Sequence, residues 1–342
     1  MCLSSFGRAP AAATLPVMPA AWIDAHLDLA YLAVNGRDLA TADDDVCVTL
    51  PALRDAGADI VFGTIFTEPD GRGRAPESYR SADDLDGAAD AGKRQLAVYE
   101  DLIEHGEIRA VTRRDDCTPD GGPLGLLLLM EGADPIRDPD DAAWWHARGL
   151  RMVGLTWARG TRYAGGNATT DGLTDLGREL VSALDALGIV HDASHLSDRA
   201  FTDLVEHAKG PIVATHSNCR VLLNDDQRHL RADQIRAIDE RDGVVGLNLY
   251  TRFLARDRPS TIDDCVRHVE HVTDVMGHRR GVGLGSDMDG GFGAEDLPTD
   301  LQRPRHLSRL ADALARRGWS DEDINGFRCE NWRRFLKRAL PV

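Results

Sequence analysis

The sequence is short of several features that mark particular classes of protein. Among its 40 basic residues only Lys93, Lys209 and Lys337 are lysines, so chemistry that needs a lysine amine or a carboxylated lysine has few positions. The six cysteines form no short paired spacing, which leaves a disulfide framework or a thiolate zinc site without support. Unbroken apolar runs such as Leu126 to Met130 are far shorter than the roughly 20 residues of a membrane helix.

Positive charge is also scarce relative to negative charge. The 40 basic and 56 acidic residues give a formal net charge of −16. A surface this acidic repels phosphate backbones, so we expect no nucleic-acid partner and no membrane partner. Residues 1–20 are rich in alanine and proline, which predicts a disordered leader rather than a secretory signal. We therefore expect a cytoplasmic protein with a single domain over residues 21–342.

Short apolar runs alternate with longer helical patterns along the chain. Eight runs read as strands buried on both faces: Trp22–His26, Asp59–Phe66, Gly125–Glu131, Arg151–Trp157, Gly188–Ser194, Pro211–His216, Gly243–Tyr250 and Gly281–Asp287. Six segments between them read as helices: Asp83–Glu104, Ala142–Arg148, Thr174–Leu187, Asp198–Ala208, Ala232–Arg241 and Thr261–Met276.

This alternation predicts an α/β fold, a (β/α)8 TIM barrel of roughly 250 residues. The remaining length falls in loops at 67–82 and 160–172 and in a helical C-terminal stretch, 301–342, which we expect to pack outside the barrel. An open doubly wound sheet is the alternative. It is less favoured because no GxGxxG follows the first strand.

Catalytic groups of such barrels stand at the C-terminal ends of the strands. The first strand ends in His26 and Asp28, which lie two residues apart and so share one side, and the third ends in Glu131. An imidazole with a carboxylate suits zinc and similar metals. Each of these residues could instead be a polar side chain at the surface.

Two further strand ends carry histidines in register. His195 and His216 lie 21 residues apart, about one βα repeat, and therefore at equivalent positions on adjacent strands. His191 has no such partner and is interpreted as structural. Asp287, at the end of the last strand, is placed to act as a general acid or base. The whole set suits a two-metal site, and because no lysine falls at a strand end, Glu131 is the candidate bridge.

Six segments in order resemble the renal or membrane dipeptidase family, peptidase family M19, a dinuclear-zinc branch of the amidohydrolase-like barrels: DAHLDLA, LLLMEGAD, IVHDASHLSD, PIVATHSN, RHLRADQI and GVGLGSDMDG. The resemblance implies that His26 and Asp28 bind one Zn2+ and that His195 and His216 bind a second. It makes Glu131 their bridge. It also implies that Asp287 is the catalytic proton shuttle and that Arg228 grips the substrate's terminal carboxylate.

One position departs from that family. Where many members have a histidine after the fourth strand, this chain has Trp157, whose indole can donate one hydrogen bond. Arg159 or Arg162 could substitute for that histidine. Asp289 and Tyr250 are expected to line the substrate pocket.

The function indicated is a zinc-dependent dipeptidase that cleaves a small dipeptide-like substrate through a hydroxide bridging two Zn2+ ions, in a homodimer. One alternative keeps the metal site but acts on another amide, an ester, a lactone or a phosphoester. Another is a barrel that retains the site and only binds a small molecule. Turnover with and without a chelator separates these three hypotheses.

Overall fold

A computed structural model describes residues 21–42, 46–119 and 121–342. The predicted leader, 1–20, lies outside the described residues. The core of the fold is a ring of eight parallel strands: β1 (Trp22–Leu27), β2 (Ala58–Phe66), β3 (Leu124–Glu131), β4 (Leu150–Gly154), β5 (Val190–Asp192), β6 (Ile212–Val213), β7 (Val245–Leu247) and β8 (Val282–Leu284).

The ring closes, which confirms the barrel and excludes the open sheet. Neighbouring strands pair in parallel from β1 through β6, and β8 pairs with both β7 and β1. The last gap, between β6 and β7, is spanned by a parallel bridge from Ala214 to Val245. The strands β5, β7 and β8 are shorter than predicted, because the residues that follow them leave the ladder. For example, the N–H of Asn248 donates to the Asn218 side chain instead of to a strand.

Helices connect the strands: α1 (Leu29–Val34), α2 (Leu50–Asp55), α3 (Leu85–Glu104), α4 (Ala142–Ala147), α5 (Asp175–Leu187), α6 (Asp198–His207), α7 (Ala232–Asp239), α8 (Ile262–Met276), α9 (Leu307–Arg316), α10 (Asp321–Asn325) and α11 (Asn331–Ala339). The six predicted helices are confirmed to within two residues. Two six-residue helices, α1 and α2, were not predicted because so few residues show no clear period. Within the described ranges, no helix is long and apolar enough to cross a bilayer.

Three short strands lie off the ring. Ile108–Ala110 pairs in parallel with the start of β3. Glu68–Pro69 pairs with Ser78–Tyr79 and folds the predicted loop at 67–82 into a small two-stranded sheet beside the mouth of the barrel.

The C-terminal stretch is helical as predicted, but it does more than pack outside the barrel. Its last helix, α11, lies across the N-terminal end of the ring. Trp332 joins one buried cluster with the inward-facing Ile23, Phe62 and Leu129, and it meets Phe62 edge-on at 5.1 Å between ring centroids. The lower half of the barrel is therefore a packed apolar core, and polar side chains are left to the upper half.

Candidate metal centre

Five predicted ligands converge at the C-terminal end of the barrel. The Nε2 atoms of His195 and His216 lie 3.2 and 3.3 Å from Oε1 of Glu131. The Nε2 atom of His26 lies 3.4 Å from the other oxygen, Oε2. Asp28 is close as well, with Oδ1 3.9 Å from Nε2 of His26. The Glu131 carboxylate thus stands between two sets of ligands, one on each oxygen.

These side chains form two overlapping groups of possible metal ligands. His26, Glu131 and His216 bring ligand atoms within 4.8 Å of one another, and so do His26, Asp28 and Asp287. Asp28 and Asp287 lie on the His26 side of Glu131. Histidine nitrogens and carboxylate oxygens at this spacing are donors that divalent metal ions use.

Hydrogen bonds to neighbouring side chains fix which nitrogen of His195 and which nitrogen of His216 faces the centre. His195 Nδ1 lies 2.9 Å from the amide oxygen of Asn167, which can only accept, so Nδ1 carries the proton. His216 Nδ1 lies 2.9 Å from the Thr215 hydroxyl, which itself donates to Asp192 at 2.5 Å. Both Nε2 atoms therefore present lone pairs to the centre. Such outer partners are typical of metal-bound histidines.

A cation explains contacts that are otherwise unfavourable. The two Nε2 lone pairs of His195 and His216 face each other at 2.9 Å. Oε1 of Glu131 is buried and makes no hydrogen bond to the described residues, although a buried carboxylate normally requires partners. Burial, with the nearby Arg228 guanidinium, lowers the pKa of His195 to about 4, and burial with the nearby His26 lowers that of His216 well below its usual value. Neutral imidazoles beside an unsatisfied carboxylate fit a metal ion.

The carboxylates of the centre are strongly perturbed. Burial raises the pKa of Asp28 to about 6 and that of Asp287 to about 7. Burial also opposes the charged form of His26, but the carboxylates of Glu131, Asp28 and Asp287 outweigh it and raise its pKa to about 10. Three buried carboxylates around one imidazole leave an excess of negative charge, which bound cations would neutralise.

The backbone is strained where the site is built. His195 and Asp287 have φ values of 63° and 58°, in the left-handed region that residues other than glycine rarely adopt. Beside them, a Cβ added at Gly290 would lie 2.1 Å from Oδ1 of Asp287 and 3.0 Å from Oδ2 of Asp28. The turn after β8 therefore needs glycine at this position to leave room for the carboxylates.

Several supporting residues were missed by sequence reasoning. Thr64 on β2 donates to Asp28, and Asn248 donates to Oδ2 of Asp287 at 2.8 Å. Asp24 accepts from the backbone N–H groups of Ser286 at 2.7 Å and His26 at 3.3 Å, and so joins the tops of β1 and β8. Asp24 and Asn248 lie within predicted strand ends and could have been considered. No sequence signal pointed to Thr64 or Asn167.

Above the centre lies a cavity of about 310 Å³. Its floor is formed by the ligand side chains. Its walls are largely aromatic: Tyr31, Phe66, Trp157, Tyr250, Phe253 and Phe292. Among the described wall residues above the ligands, Glu68 carries the only charge.

Two predicted substrate residues lie in this wall. Trp157 packs against Phe66 at 5.4 Å and His195 at 6.1 Å between ring centroids. Tyr250 packs against Phe292 at 4.7 Å. Of the two arginines considered as substitutes for the family histidine, Arg162 is engaged with backbone oxygens, including that of Ile136 at 3.1 Å, whereas Arg159 is exposed near the cavity mouth.

The other two predicted substrate residues lie behind the walls. Arg228 is buried and stacks on Phe253 with its guanidinium carbon 5.0 Å from the ring centroid. It donates to the backbone oxygen of His216 at 2.8 Å, and its Nε has no partner among the described residues. Asp289 is turned away from the cavity toward Arg37, at 2.7 Å, where it borders a neighbouring cleft.

A parallel barrel that gathers histidines and carboxylates at its C-terminal end defines a metal-dependent hydrolase. Comparison with known proteins agrees. Residues 16–341 match the model of the membrane dipeptidase family, peptidase family M19. The chain belongs to this family.

Relatives and solved structures extend the comparison. The dipeptidase tcpJ of Claviceps purpurea is 25% identical over 93% of this chain and 75% of its own length. A metallopeptidase of Rhodobacter sphaeroides, solved with a phosphinate mimic of L-Ala-D-Ala, is 25% identical with a TM-score of 0.83 over 94% of this chain and 99% of its own. The dipeptidase AC, also of family M19, is 26% identical with a TM-score of 0.84 over 95% of this chain and 100% of its own.

Proposed function

We propose that this protein is a zinc-dependent dipeptidase that hydrolyses the amide bond of small dipeptides. The observation that carries the proposal is the placement of Glu131 between His26 on one oxygen and His195 with His216 on the other. The dipeptide mimic bound to the Rhodobacter sphaeroides enzyme and the dipeptidase relative from Claviceps purpurea support the same substrate class.

The residues present fit two metal ions. His26 and Asp28 would hold one, His195 and His216 the other, and Glu131 would bridge them. When bound, such a pair supplies Lewis acidity and makes hydroxide available near neutral pH. Zinc suits the mixture of imidazole and carboxylate ligands.

Asp287 moves the proton in this proposal. Asn248 donates to its Oδ2, which leaves Oδ1 free of that bond, and the Asp287 side chain lines the cavity beside the centre. That oxygen can take the proton from the attacking water and pass it to the leaving amine. The strained backbone of Asp287 keeps the carboxylate aimed at this position.

Other residues would hold the substrate. Arg228, with an unpartnered Nε, suits the terminal carboxylate, because a guanidinium pairs bidentately with that group. Trp157 and Tyr250 would contact the substrate from the walls, and the Trp157 indole can donate to the carbonyl oxygen. We do not carry Asp289 into the proposal, since Arg37 and the N–H of Val48 engage its carboxylate.

A second candidate function has one observation in its favour. Trp157 stands in the cavity wall where the resemblance led us to expect a histidine, and an oxyanion donor can contribute about 3–4 kcal/mol. The same centre would then act on another small amide, an ester or a lactone. Arg228 separates the two candidates, because only a substrate with a free carboxylate uses it.

The test is to measure bound metal and turnover on the same preparation. We expect about two zinc ions per chain, hydrolysis of Ala-Ala, and loss of activity in chelator that added zinc restores. Ala-Ala-amide, which lacks the carboxylate, should be cleaved at least about ten-fold more slowly. Metal-free protein that cleaves Ala-Ala at full rate would refute the proposal, and equal rates on both substrates would favour the second candidate.

The homodimer, the cytoplasmic location and the single domain over residues 21–342 stay predictions. They rest on the family resemblance and on composition. Light scattering and cell fractionation are the measurements that test them.

A further inference from the structure

We propose that Glu68 selects dipeptides whose N-terminal residue has a cationic side chain, such as arginine or lysine. The inference rests on the proposed function, because it names the substrates that the same cavity prefers. Glu68 lines the cavity, and its carboxylate makes no hydrogen bond or ion pair with any residue the structure describes. A half-buried carboxylate that makes no hydrogen bond, with the exposed Arg159 as a nearby positive charge, can pair with a cationic group of a substrate.

The backbone around Glu68 is held in place. Glu68–Pro69 pairs with Ser78–Tyr79, and the N–H of Glu68 donates to Glu77. Asp70 closes the intervening turn by accepting from Ser78 at 2.9 Å and from the N–H groups at 72 and 73. The carboxylate is therefore presented from a fixed strand, which favours a specific contact over a solvated surface charge.

The topology places Glu68 opposite Arg228. Glu68 follows β2 by two residues, whereas the Arg228 guanidinium is bonded to His216 at the end of β6. In the order of the ring, β2 and β6 are four strands apart in either direction. A dipeptide with its carboxylate turned toward the β6 side, where Arg228 lies behind Phe253, and with its amide bond over Glu131 directs its N-terminal residue toward Glu68.

The position of Glu68 favours a side chain over the α-ammonium. Tyr31 lines the same cavity wall as Glu68, and Asp28 of the centre lines the floor below it. The α-ammonium is one carbon away from the scissile carbonyl and stays over the ligands. A longer side chain can pass Tyr31 and reach the carboxylate.

The walls beside Glu68 also suit a cation. Tyr31, Phe66 and Trp157 form a continuous series, with ring centroids 5.9 and 5.4 Å apart. Aromatic faces attract guanidinium and ammonium groups. Glu77 and Asp70 add negative charge near Glu68, whereas the exposed Arg159 adds positive charge there.

The test compares kcat/KM for Arg-Ala and Met-Ala, two substrates with long side chains that differ in charge. Wild-type protein should prefer Arg-Ala, and Glu68→Gln should lower the Arg-Ala to Met-Ala ratio roughly ten-fold, the scale of one charged hydrogen bond. Glu68→Arg should shift the preference to Glu-Ala. Glu107→Gln is the control, because that carboxylate pairs with Arg54 at 2.7 Å and does not line the cavity. It should leave the ratio within two-fold.

Other outcomes are distinct. Equal losses on Arg-Ala and Met-Ala in Glu68→Gln would assign the carboxylate to the α-ammonium and overturn the proposal. Unchanged kcat/KM values for both substrates in Glu68→Gln would also overturn it. Hydrolysis of Met-Ala by the wild type would in either case leave the proposed dipeptidase function intact. Calorimetric binding of L-arginine against L-methionine makes the same comparison without turnover, so that it holds even if no dipeptide is cleaved.

Discussion

The two ends of the barrel are built from the same eight strands but have opposite chemistry. At the N-terminal end, the inward side chains are apolar and α11 covers them, with Trp332, Phe335 and Leu336 in the shared core. At the C-terminal end, Glu131 takes the next inward position after Leu129 and lies close to His26. One polypeptide ring thus separates the residues that stabilise the fold from those that carry out chemistry.

The hydrogen bonds show the same contrast. The Trp332 indole N–H donates to the backbone oxygen of Leu284 at 2.9 Å, so that the aromatic side chain closing the N-terminal end has its polar group satisfied. A Cβ at Gly283 would lie 2.4 Å from that indole nitrogen, which explains glycine there. At the upper end, His26 Nδ1 and Glu131 Oε1 are buried without partners among the described residues.

The largest effect is expected from a substitution at the C-terminal, or upper, end of the barrel. Glu131→Ala should reduce metal content toward one ion per chain and lower kcat/KM by more than about 100-fold, since even the loss of a ligand's hydrogen-bond partner costs 10–100-fold. The fold should persist, because no apolar contact is lost. Metal analysis, turnover and thermal unfolding measure the three quantities.

The control for that change is Glu107→Ala, which removes an exposed carboxylate paired with Arg54 at 2.7 Å. It should alter neither metal content nor turnover. If Glu131→Ala kept two ions per chain, the bridging role would be wrong.

The contrast between the ends also explains what could be predicted from sequence. The candidate ligands could be predicted because strand ends are local patterns: His26 with Asp28, and His195 in register with His216. Asn167 and Trp332 could not be predicted in this way, because each side chain contacts its partner only after the ring closes. Trp332 lies 48 residues along the chain from Leu284, the strand residue it bonds, and nothing local in the C-terminal stretch indicates which end of the barrel it covers.

Asp289 shows a limit of the same reasoning. It follows Asp287 by two residues, and strand periodicity would give the two carboxylates the same side. The chain has left β8 by this point, and both residues have positive φ values, 58° and 65°. The turn therefore sends Asp287 toward the centre and Asp289 toward Arg37. Periodicity applies only while the strand continues.

The second largest effect is expected from a substitution at the N-terminal, or lower, end of the barrel. Trp332→Ala should lower the free energy of unfolding by about 3–5 kcal/mol, because it leaves a large cavity under the barrel. Turnover per folded molecule at 25 °C should stay within about two-fold. Urea unfolding and active-site titration separate the two quantities.

Trp144→Ala is the comparison for that variant, since Trp144 is half-buried and stacks on Arg148 at 3.8 Å. Its cost in stability should be smaller. A loss of metal in Trp332→Ala protein that remains folded would show that the ends are coupled.

The smallest expected effect concerns His191, four residues before His195. Its Nε2 lies 2.8 Å from Oδ1 of Asp185 on α5, away from the centre. Burial raises the pKa of Asp185, but hydrogen bonds from His191 and from the N–H groups of Lys209 and Gly210 outweigh it and lower the pKa below 3.8. A carboxylate whose pKa is lower in the folded state than in the unfolded state stabilises the fold at pH values above its unfolded-state pKa. This contribution disappears as the pH falls through its folded-state pKa.

Asp185→Asn should therefore cost about 1 kcal/mol at pH 7, a modest figure because solvent screens this half-buried group. The difference from wild type should shrink between pH 4 and pH 2, where Asp185 itself becomes protonated. Urea unfolding at several pH values measures this, and metal content and turnover at pH 7 should be unchanged. A cost that is the same at pH 7 and pH 2 would mean that packing, rather than the charge of Asp185, holds His191 away from the metal centre.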